Sequence, residues 1–306
     1  MMNIVFMGTP DFAAASLKAL IDAGYNILAA FTQPDKPVGR KRVLTAPPVK
    51  VLAQENNIPV YQPEMLKDGV AEGIIKELKP DVIAVVAYGK IIPESILSLA
   101  PLGCINVHGS LLPKLRGAAP IQWSVINGEK YAGVTTMYMD KGLDTGDIIL
   151  TEKTEILPLE TSGELYERLA PMGAELLVKT IELLKEGKAP RKKQNDAEST
   201  YAPMLNKELA VIDFSKTKKE ICSLVCGLNP WPIALTSLEG KRLKVYRATP
   251  CDKSGEIGTL LDEKKFIVGC ADGSVEFLEV QIEGSKAQSG EEFLRGKRLS
   301  LGLKFE

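Results

Sequence analysis

The sequence predicts an α/β protein: a core domain with a parallel-rich sheet, then a small β-barrel domain. Three observations carry this. Residues 3–8, 11–24 and 26–32 read as apolar run, helical spacing and apolar run, a β-α-β opening. Residues 81–87 are almost continuously apolar after Asp81, as in a strand covered on both faces. Beyond residue 206 the pattern changes to short alternating segments with turns every 8–12 residues, the grammar of a small barrel. A length of 306 residues suits two cores.

Taken in order, the first helix places Phe12, Ser16, Leu20 and Ala23 on one face and stops at Gly24. Residues 34–48 hold four prolines and read as a long loop, followed by a helix over residues 49–56. Residues 71–78 are helical, residues 103–107 form a short strand, and residues 118–126 form a helix. Residues 134–139 and 148–154 read as a pair of strands. The longest helix covers residues 161–186, with a capping box in Thr161-Ser162-Gly163-Glu164 and a stripe from Leu165 through Leu184 that faces a core. Gly187 ends it. Residues 188–206 are polar, contain Pro190 and Pro203, and read as a linker between a domain at 1–187 and another at 207–306. In the second domain a helix over 216–227 precedes strands at 233–238, 243–248, 258–261, 266–270 and 275–280.

Composition is that of an ordinary globular protein, 45% hydrophobic and 25% charged. No apolar run reaches the roughly 18 residues of a membrane span, and the first residues lack a signal-peptide pattern, so the expected location is the cytosol. Five cysteines and a single histidine do not make a metal centre, and the thiols are expected reduced and mostly buried. Net charge is −1, so nucleic-acid contact requires local patches. One such patch is 36–54, with Lys36, Arg40, Lys41, Arg42 and Lys50 and no acid; another is 185–193, with five basic residues against Glu186. From charge alone either is a solvated loop.

Three motifs carry chemistry. In Asn106-Val107-His108-Gly109, Asn106 and His108 share a face at the end of a strand, where open α/β sheets bind ligands. The turn from Asp140 to Asp147 carries three aspartates and two glycines, and capping of backbone amides accounts for one or two of these acids. The third, Gly8-Thr9-Pro10-Asp11-Phe12, retains only the first glycine of a dinucleotide fingerprint, which rejects nicotinamide and flavin dinucleotides.

Asn106-x-His108, Ser110-Leu111-Leu112-Pro113 and Gly142-Leu143-Asp144-Thr145-Gly146 together resemble the signature of the 10-formyltetrahydrofolate-dependent transferases. Further strings resemble the branch of that family acting on methionyl-tRNA: Gly8-Thr9-Pro10-Asp11-Phe12-Ala13, Phe31-Thr32-Gln33-Pro34-Asp35 leading to Gly39-Arg40, Pro48-Val49-Lys50, and Asn229-Pro230-Trp231-Pro232. The resemblance implies a Rossmann-like formyltransferase core and an OB-like barrel. It implies transfer of the formyl group of 10-formyltetrahydrofolate to the α-amino group of methionyl initiator tRNA, for translation initiation. It implies Asn106, His108 and Asp144 as catalytic residues: the Asn106 amide and His108 polarise the formyl oxygen, and Asp144 relays the proton and orients His108. Ser110, Leu111, Leu112 and Pro113 are expected against the folate, with the backbone around Val86, Tyr88, Gly89 and Ile91 lining the same pocket. No metal is required. Arg40, Lys41 and Arg42 are expected on tRNA phosphates, with Lys192, Lys193, Lys241, Arg242 and Lys244 extending the track. The expected state is monomeric. Two relatives on the same scaffold are an amino-sugar formylase, against which the long basic loop argues, and a formate-releasing hydrolase, which carries an additional N-terminal domain. A binding protein with a decayed site is disfavoured by the intact Asn106, His108 and Asp144.

Overall fold

The computed structural model describes residues 2–39 and 41–305. The front of the chain forms β1 (Asn3–Gly8), α1 (Asp11–Asp22), β2 (Asn26–Phe31), β3 (Lys36–Val38), β4 (Val43–Thr45), α2 (Pro48–Glu55) and β5 (Val60–Tyr61). Then come α3 (Val70–Leu78), β6 (Val82–Val86), α4 (Glu94–Leu97), β7 (Cys104–His108), β8 (Arg116–Gly117) and α5 (Pro120–Ile126). The chain continues through β9 (Tyr131–Tyr138), β10 (Ile148–Glu155), α6 (Ser162–Lys185) and β11 (Tyr201–Ala202). The last part holds α7 (Lys218–Gly227), β12 (Ala234–Leu238), β13 (Lys241–Cys251), β14 (Ile267–Cys270), β15 (Gly273–Ile282), β16 (Gln288–Ser289) and α8 (Gly290–Lys297).

The main sheet runs β10-β9-β7-β6-β1-β2-β5. The pairs β1–β2, β1–β6, β2–β5 and β6–β7 are parallel, and β7–β9 is antiparallel. Every residue of β6 is buried, as its unbroken apolar run requires of a central strand. On one face, Val5, Met7, Ala29, Phe31, Ile83 and Val85 pack with Ala71 and Ile75 of α3 and with Ile96. Gly8 closes β1 at a tight spot: a Cβ there would lie 2.6 Å from the Ala13 Cβ and 2.9 Å from the Val86 carbonyl. No larger residue fits without moving the start of α1.

Two compact units emerge. The first comprises residues 1–117, 133–154 and 166–201; the second comprises 118–132, 155–165 and 202–306. Thus α5 and the first turn of α6 belong to the second unit. Within that unit the order β12-β13-β15-β14, with β16 on β15, makes a five-stranded antiparallel sheet, compatible with a small barrel. Its core joins Phe266, Phe277, Phe293 and Phe305 to Val225 and Ile221 of α7. Phe266 stacks on Phe293 with centroids 5.5 Å apart.

Several local expectations change. The stretch read as a long loop at 34–48 contains the β3–β4 hairpin, paired from Lys36↔Thr45 to Val38↔Val43. Three-residue strands with no buried residue leave no alternation to detect. The strand expected at 258–261 makes only isolated bridges, such as Leu260 with Val268 and Thr259 with Lys304. The polar tail conceals α8, whose capping box joins Ser289 to Glu292. The capping box of α6 forms as its sequence predicts: the Glu164 amide donates to Thr161 Oγ1 at 3.1 Å and the Thr161 amide to Glu164 Oε2 at 2.8 Å.

Candidate active site

The candidate site lies in the first unit, at the carboxyl end of β7. Register places Asn106 beside Val85 on β6 and beside Met137 on β9, with His108 opposite Thr135. Alternation along β7 puts Asn106 and His108 on one face. Both are nearly enclosed, at 9% and 6% exposure. Among the described residues, the Asn106 side chain makes no hydrogen bond. An amide without a protein partner is a donor open to an acceptor.

His108 is hydrogen-bonded at one nitrogen and faces a carboxylate at the other. Nε2 lies 2.9 Å from the Leu115 carbonyl, which can only accept, so this nitrogen carries a proton. Nδ1 lies 3.6 Å from Asp144 Oδ2. A ring facing an acceptor on each side is placed to hold a proton on either nitrogen. The role expected for His108 is refined accordingly: donation from Nε2 to a substrate oxygen requires that oxygen to replace the Leu115 carbonyl.

Asp144 comes from the loop between β9 and β10. Its Oδ2 also accepts from the Gly117 amide at 2.9 Å. The other acids of this loop are structural. Asp140 Oδ1 accepts from the Gly142 amide at 2.9 Å and the Thr145 hydroxyl at 2.6 Å, and Asp147 lies 3.8 Å from Arg191. Gly146 passes so close to the Tyr138 carbonyl that no Cβ fits. The loop is therefore fixed where Asp144 meets His108.

The segment after His108 is also braced. Thr135 Oγ1 donates to the Ser110 carbonyl at 2.7 Å and accepts from the Leu112 amide at 3.3 Å, while the Ser110 hydroxyl donates to the Lys114 carbonyl at 2.7 Å. Leu112 is buried; Leu111 and Pro113 are half-buried. Val86 and Tyr88 turn their side chains into the interior, Gly89 adopts φ +81°, and the Ile91 side chain is 85% exposed. Of the four, Val86 and Tyr88 can offer a ligand only their backbone. Burial pushes the Tyr88 hydroxyl up to about 12, so it stays protonated. The Tyr88 carbonyl accepts from Thr9 Oγ1 at 2.9 Å and Gln33 Nε2 at 3.1 Å, tying the ends of β1, β2 and β6 together.

The place where a dinucleotide fold receives phosphate is closed. The Phe12 amide in the first turn of α1 donates to the Tyr166 hydroxyl at 3.0 Å. No cluster of three or more metal-ligating side chains occurs among the described residues.

The basic segment at 36–50 divides. Lys41 and Arg42 are exposed at the tip of the β3–β4 hairpin. Arg40, expected to be the key phosphate contact, lies outside the described residues. Lys50 is spoken for: its Nζ is 2.8 Å from both Asp35 oxygens, and Gln62 Nε2 donates to Asp35 Oδ1 at 2.7 Å. The Gln62 hydrogen bond and then Lys50 hold the Asp35 carboxyl below its ordinary range. This cluster anchors the root of the hairpin. Lys192, Lys193, Lys241, Arg242 and Lys244 are all exposed.

Thr135, the Leu115 carbonyl, the Gly117 amide and Gln194 are parts of the site that the sequence did not reveal. Two act through backbone atoms, which carry no residue signature, and Thr135 and Gln194 reach the site only through the fold.

The formyl transferase family matches residues 2–181, and the formyl transferase C-terminal domain matches residues 204–298. The methionyl-tRNA formyltransferase of Desulforamulus reducens is 52% identical, over 98% of this chain and 96% of its own. That of Clostridioides difficile is 49% identical, over 99% of each chain. Among solved structures, the N-formyltransferase of Helicobacter canadensis, in complex with folinic acid and dTDP-3-aminofucose, superposes with a TM-score of 0.70 at 22% identity, covering 90% of this chain and 99% of that one. HypX from Aquifex aeolicus, in complex with tetrahydrofolic acid, gives 0.62 at 18% identity, covering 96% and 47%. These two establish a shared fold. With both of its parts matched and full-length relatives near half identical, this chain belongs to the formyl transferase family.

Proposed function

We propose that this protein transfers the formyl group of 10-formyltetrahydrofolate to the α-amino group of methionyl initiator tRNA, using Asn106, His108 and Asp144. The observation that carries the chemistry is the Asn106 amide, without a hydrogen-bond partner among the described residues, on the same strand face as an imidazole whose Nδ1 lies 3.6 Å from Asp144. Full-length similarity to the methionyl-tRNA formyltransferases supports the choice of acceptor.

The folate supplies an activated formyl group. Asn106 donates its amide N–H to the formyl oxygen, where negative charge gathers as the amine attacks. Loss of one such donor typically costs about 10²–10³ in rate. His108 and Asp144 sit within 3.6 Å of each other and form a route that carries the proton lost by the amine to N10 of the folate, as the N10–formyl bond breaks and tetrahydrofolate leaves. Asp144 also orients the ring, and the Gly117 amide orients Asp144. Leu111, Leu112 and Pro113, with the backbone of Gly89, offer the apolar wall and polar edge that a pterin requires. The residues present therefore fit a folate, and no metal takes part in this reading.

Lys41 and Arg42 at the hairpin tip contact tRNA phosphates in the same reading, together with Arg40. The first unit carries the chemistry, the end of the 188–206 segment the connection, and residues 207–306 an OB-like surface for tRNA. The protein acts as a cytosolic monomer; no described helix is long and apolar enough to cross a membrane.

The test is an assay with 10-formyltetrahydrofolate and methionyl initiator tRNA, beside His108→Ala and an elongator tRNA. Formylmethionyl-tRNA that depends on His108 and on the initiator is the expected result. Formylation of an amino-sugar nucleotide alone, or release of free formate alone, sinks the choice of acceptor while leaving the scaffold chemistry.

A further inference from the structure

Residues 188–206 read as a connector, yet part of this segment is bound tightly to the first unit. Lys192 and Ile148 exchange backbone hydrogen bonds of 2.8 and 3.0 Å. The Arg191 guanidinium lies 3.5 Å above the Tyr138 ring. Gln194 Nε2 donates to two carbonyls, Asp144 and Gly146, each at 2.8 Å. Gln194 Oε1 accepts from Arg116 Nε at 3.1 Å and from its Nη2 at 2.9 Å. Arginine only donates and carbonyls only accept, so the amide can face one way alone. Arg116 in turn reaches Asp196 at 2.7 Å. Further on, Thr200 Oγ1 accepts from the Leu115 amide at 2.9 Å.

Two of these backbone points flank the imidazole. Asp144 presents the carboxylate at Nδ1, and Leu115 presents the carbonyl at Nε2. Both are non-glycine residues in the left-handed region, with φ +53° and +59°. Such conformations are disfavoured for residues with a side chain and persist where the surroundings impose them. At Asp144 the surroundings include Gln194.

We propose that Gln194 is a positioning residue for formyl transfer: by gripping the Asp144 and Gly146 carbonyls it holds the 140–147 loop in the conformation that aims Asp144 at His108. The Gln194 amide spends its hydrogen bonds on the Asp144 and Gly146 carbonyls and on Arg116, so its link to His108 runs through Asp144. The inference rests on the catalytic reading of His108 and Asp144.

Two variants of the full chain test it. Gln194→Met keeps the length and loses every hydrogen bond. Gln194→Glu keeps the pairing with Arg116 but sets an oxygen against two carbonyls. A role confined to bracing Arg116 leaves the Glu variant near wild type; positioning of Asp144 impairs both. The expected result is a kcat lowered on the order of 10- to 100-fold in both variants. KM for 10-formyltetrahydrofolate and for methionyl-tRNA stays within about twofold, as when only the transition state loses an interaction. Amide hydrogen exchange in 140–147 quickens. Wild-type kcat in either variant, or unchanged exchange in that loop, overturns the proposal. Asp144→Asn, assayed alongside, separates the two ideas. If it retains full kcat, the catalytic reading of Asp144 falls, whatever Gln194 does to the loop. If it is impaired while the Gln194 variants are not, that reading stands and the positioning role alone is lost.

Discussion

At His108 the ring is held by one carbonyl and one carboxylate, and its neighbour Asn106 is left with an open amide. That asymmetry separates their expected mutant behaviour. Asn106→Ala removes only the donor to the formyl oxygen, so kcat falls by about 10²–10³ with folate affinity nearly intact. Single-turnover kinetics beside 5-formyltetrahydrofolate binding checks this; a matching loss of binding would assign Asn106 to ground-state recognition instead. Gly146→Ala removes no polar side chain. Its Cβ would enter the Tyr138 carbonyl, so the loop must move and carry Asp144 away from His108. A tenfold or greater drop in kcat, on the order expected for a misplacement of about 1 Å, is the outcome to look for. These consequences depend on tertiary neighbours, and the residue types alone reveal only part of them. Asn106-x-His108 was legible because period-2 alternation and a strand end fix which way both side chains point. Asp144 was legible only by resemblance, since an aspartate in a glycine-rich turn is more often a cap, as Asp140 proves to be.

Among the elements, the β3–β4 hairpin shows charge divided by task. Lys41 and Arg42 are exposed at its tip, while Lys50 is consumed at its root by Asp35. Replacing Arg40, Lys41 and Arg42 by Ala should raise KM for tRNA and lessen the salt dependence of binding, by up to about one unit of log–log slope for each phosphate left without its cation. Lys50→Met should disturb the hairpin instead, visible as faster proteolysis within 36–45 and no proportional change in salt slope. The start of α6 offers a pH test. The Glu164 carboxyl is held low, first by the Thr161 amide and then by Arg247. A carboxyl lowered on folding stabilises above its ordinary range, and that contribution is lost as pH falls through the lowered value. Thr161→Ala should cost about 1 kcal/mol near neutral pH in urea unfolding. The gap to wild type should narrow as the solution is acidified below the ordinary carboxylate range; a gap independent of pH would place the effect in packing.

For the molecule as a whole, the two units are not consecutive stretches of chain. Residues 118–132 and 155–165 join the second unit, so α5 packs with α7: at Gly227 an added Cβ would meet the Ile126 amide at 2.9 Å. The cysteines follow the same interior logic. Burial pushes the Cys222 thiol up to about 12 and Cys226 up to about 11, and raises Cys104 and Cys270 as well. Only Cys251 is partly exposed. A thiol reagent on the native protein should therefore label Cys251 first and reach the other four of its five cysteines on unfolding. Rapid labelling of Cys222 or Cys226 in the native state would contradict this packing.

By itself the sequence determined the parallel-rich order of the first unit, the strand that carries Asn106 and His108, and the capping box and buried stripe of α6. Each is written in local periodicity: a continuous apolar run, alternation by two, recurrence near 3.6. The basic hairpin tip was legible as charge, though not as a hairpin, because exposed three-residue strands have no buried face to mark them. Tertiary structure decided the rest. It chose which carbonyl holds His108, gave Gln194 and Thr200 partners 50 and 85 residues away, and folded α5 into the unit that follows it in sequence. Those interactions join backbone atoms and lone polar side chains, whose partners depend on three-dimensional neighbours and leave no period in the chain.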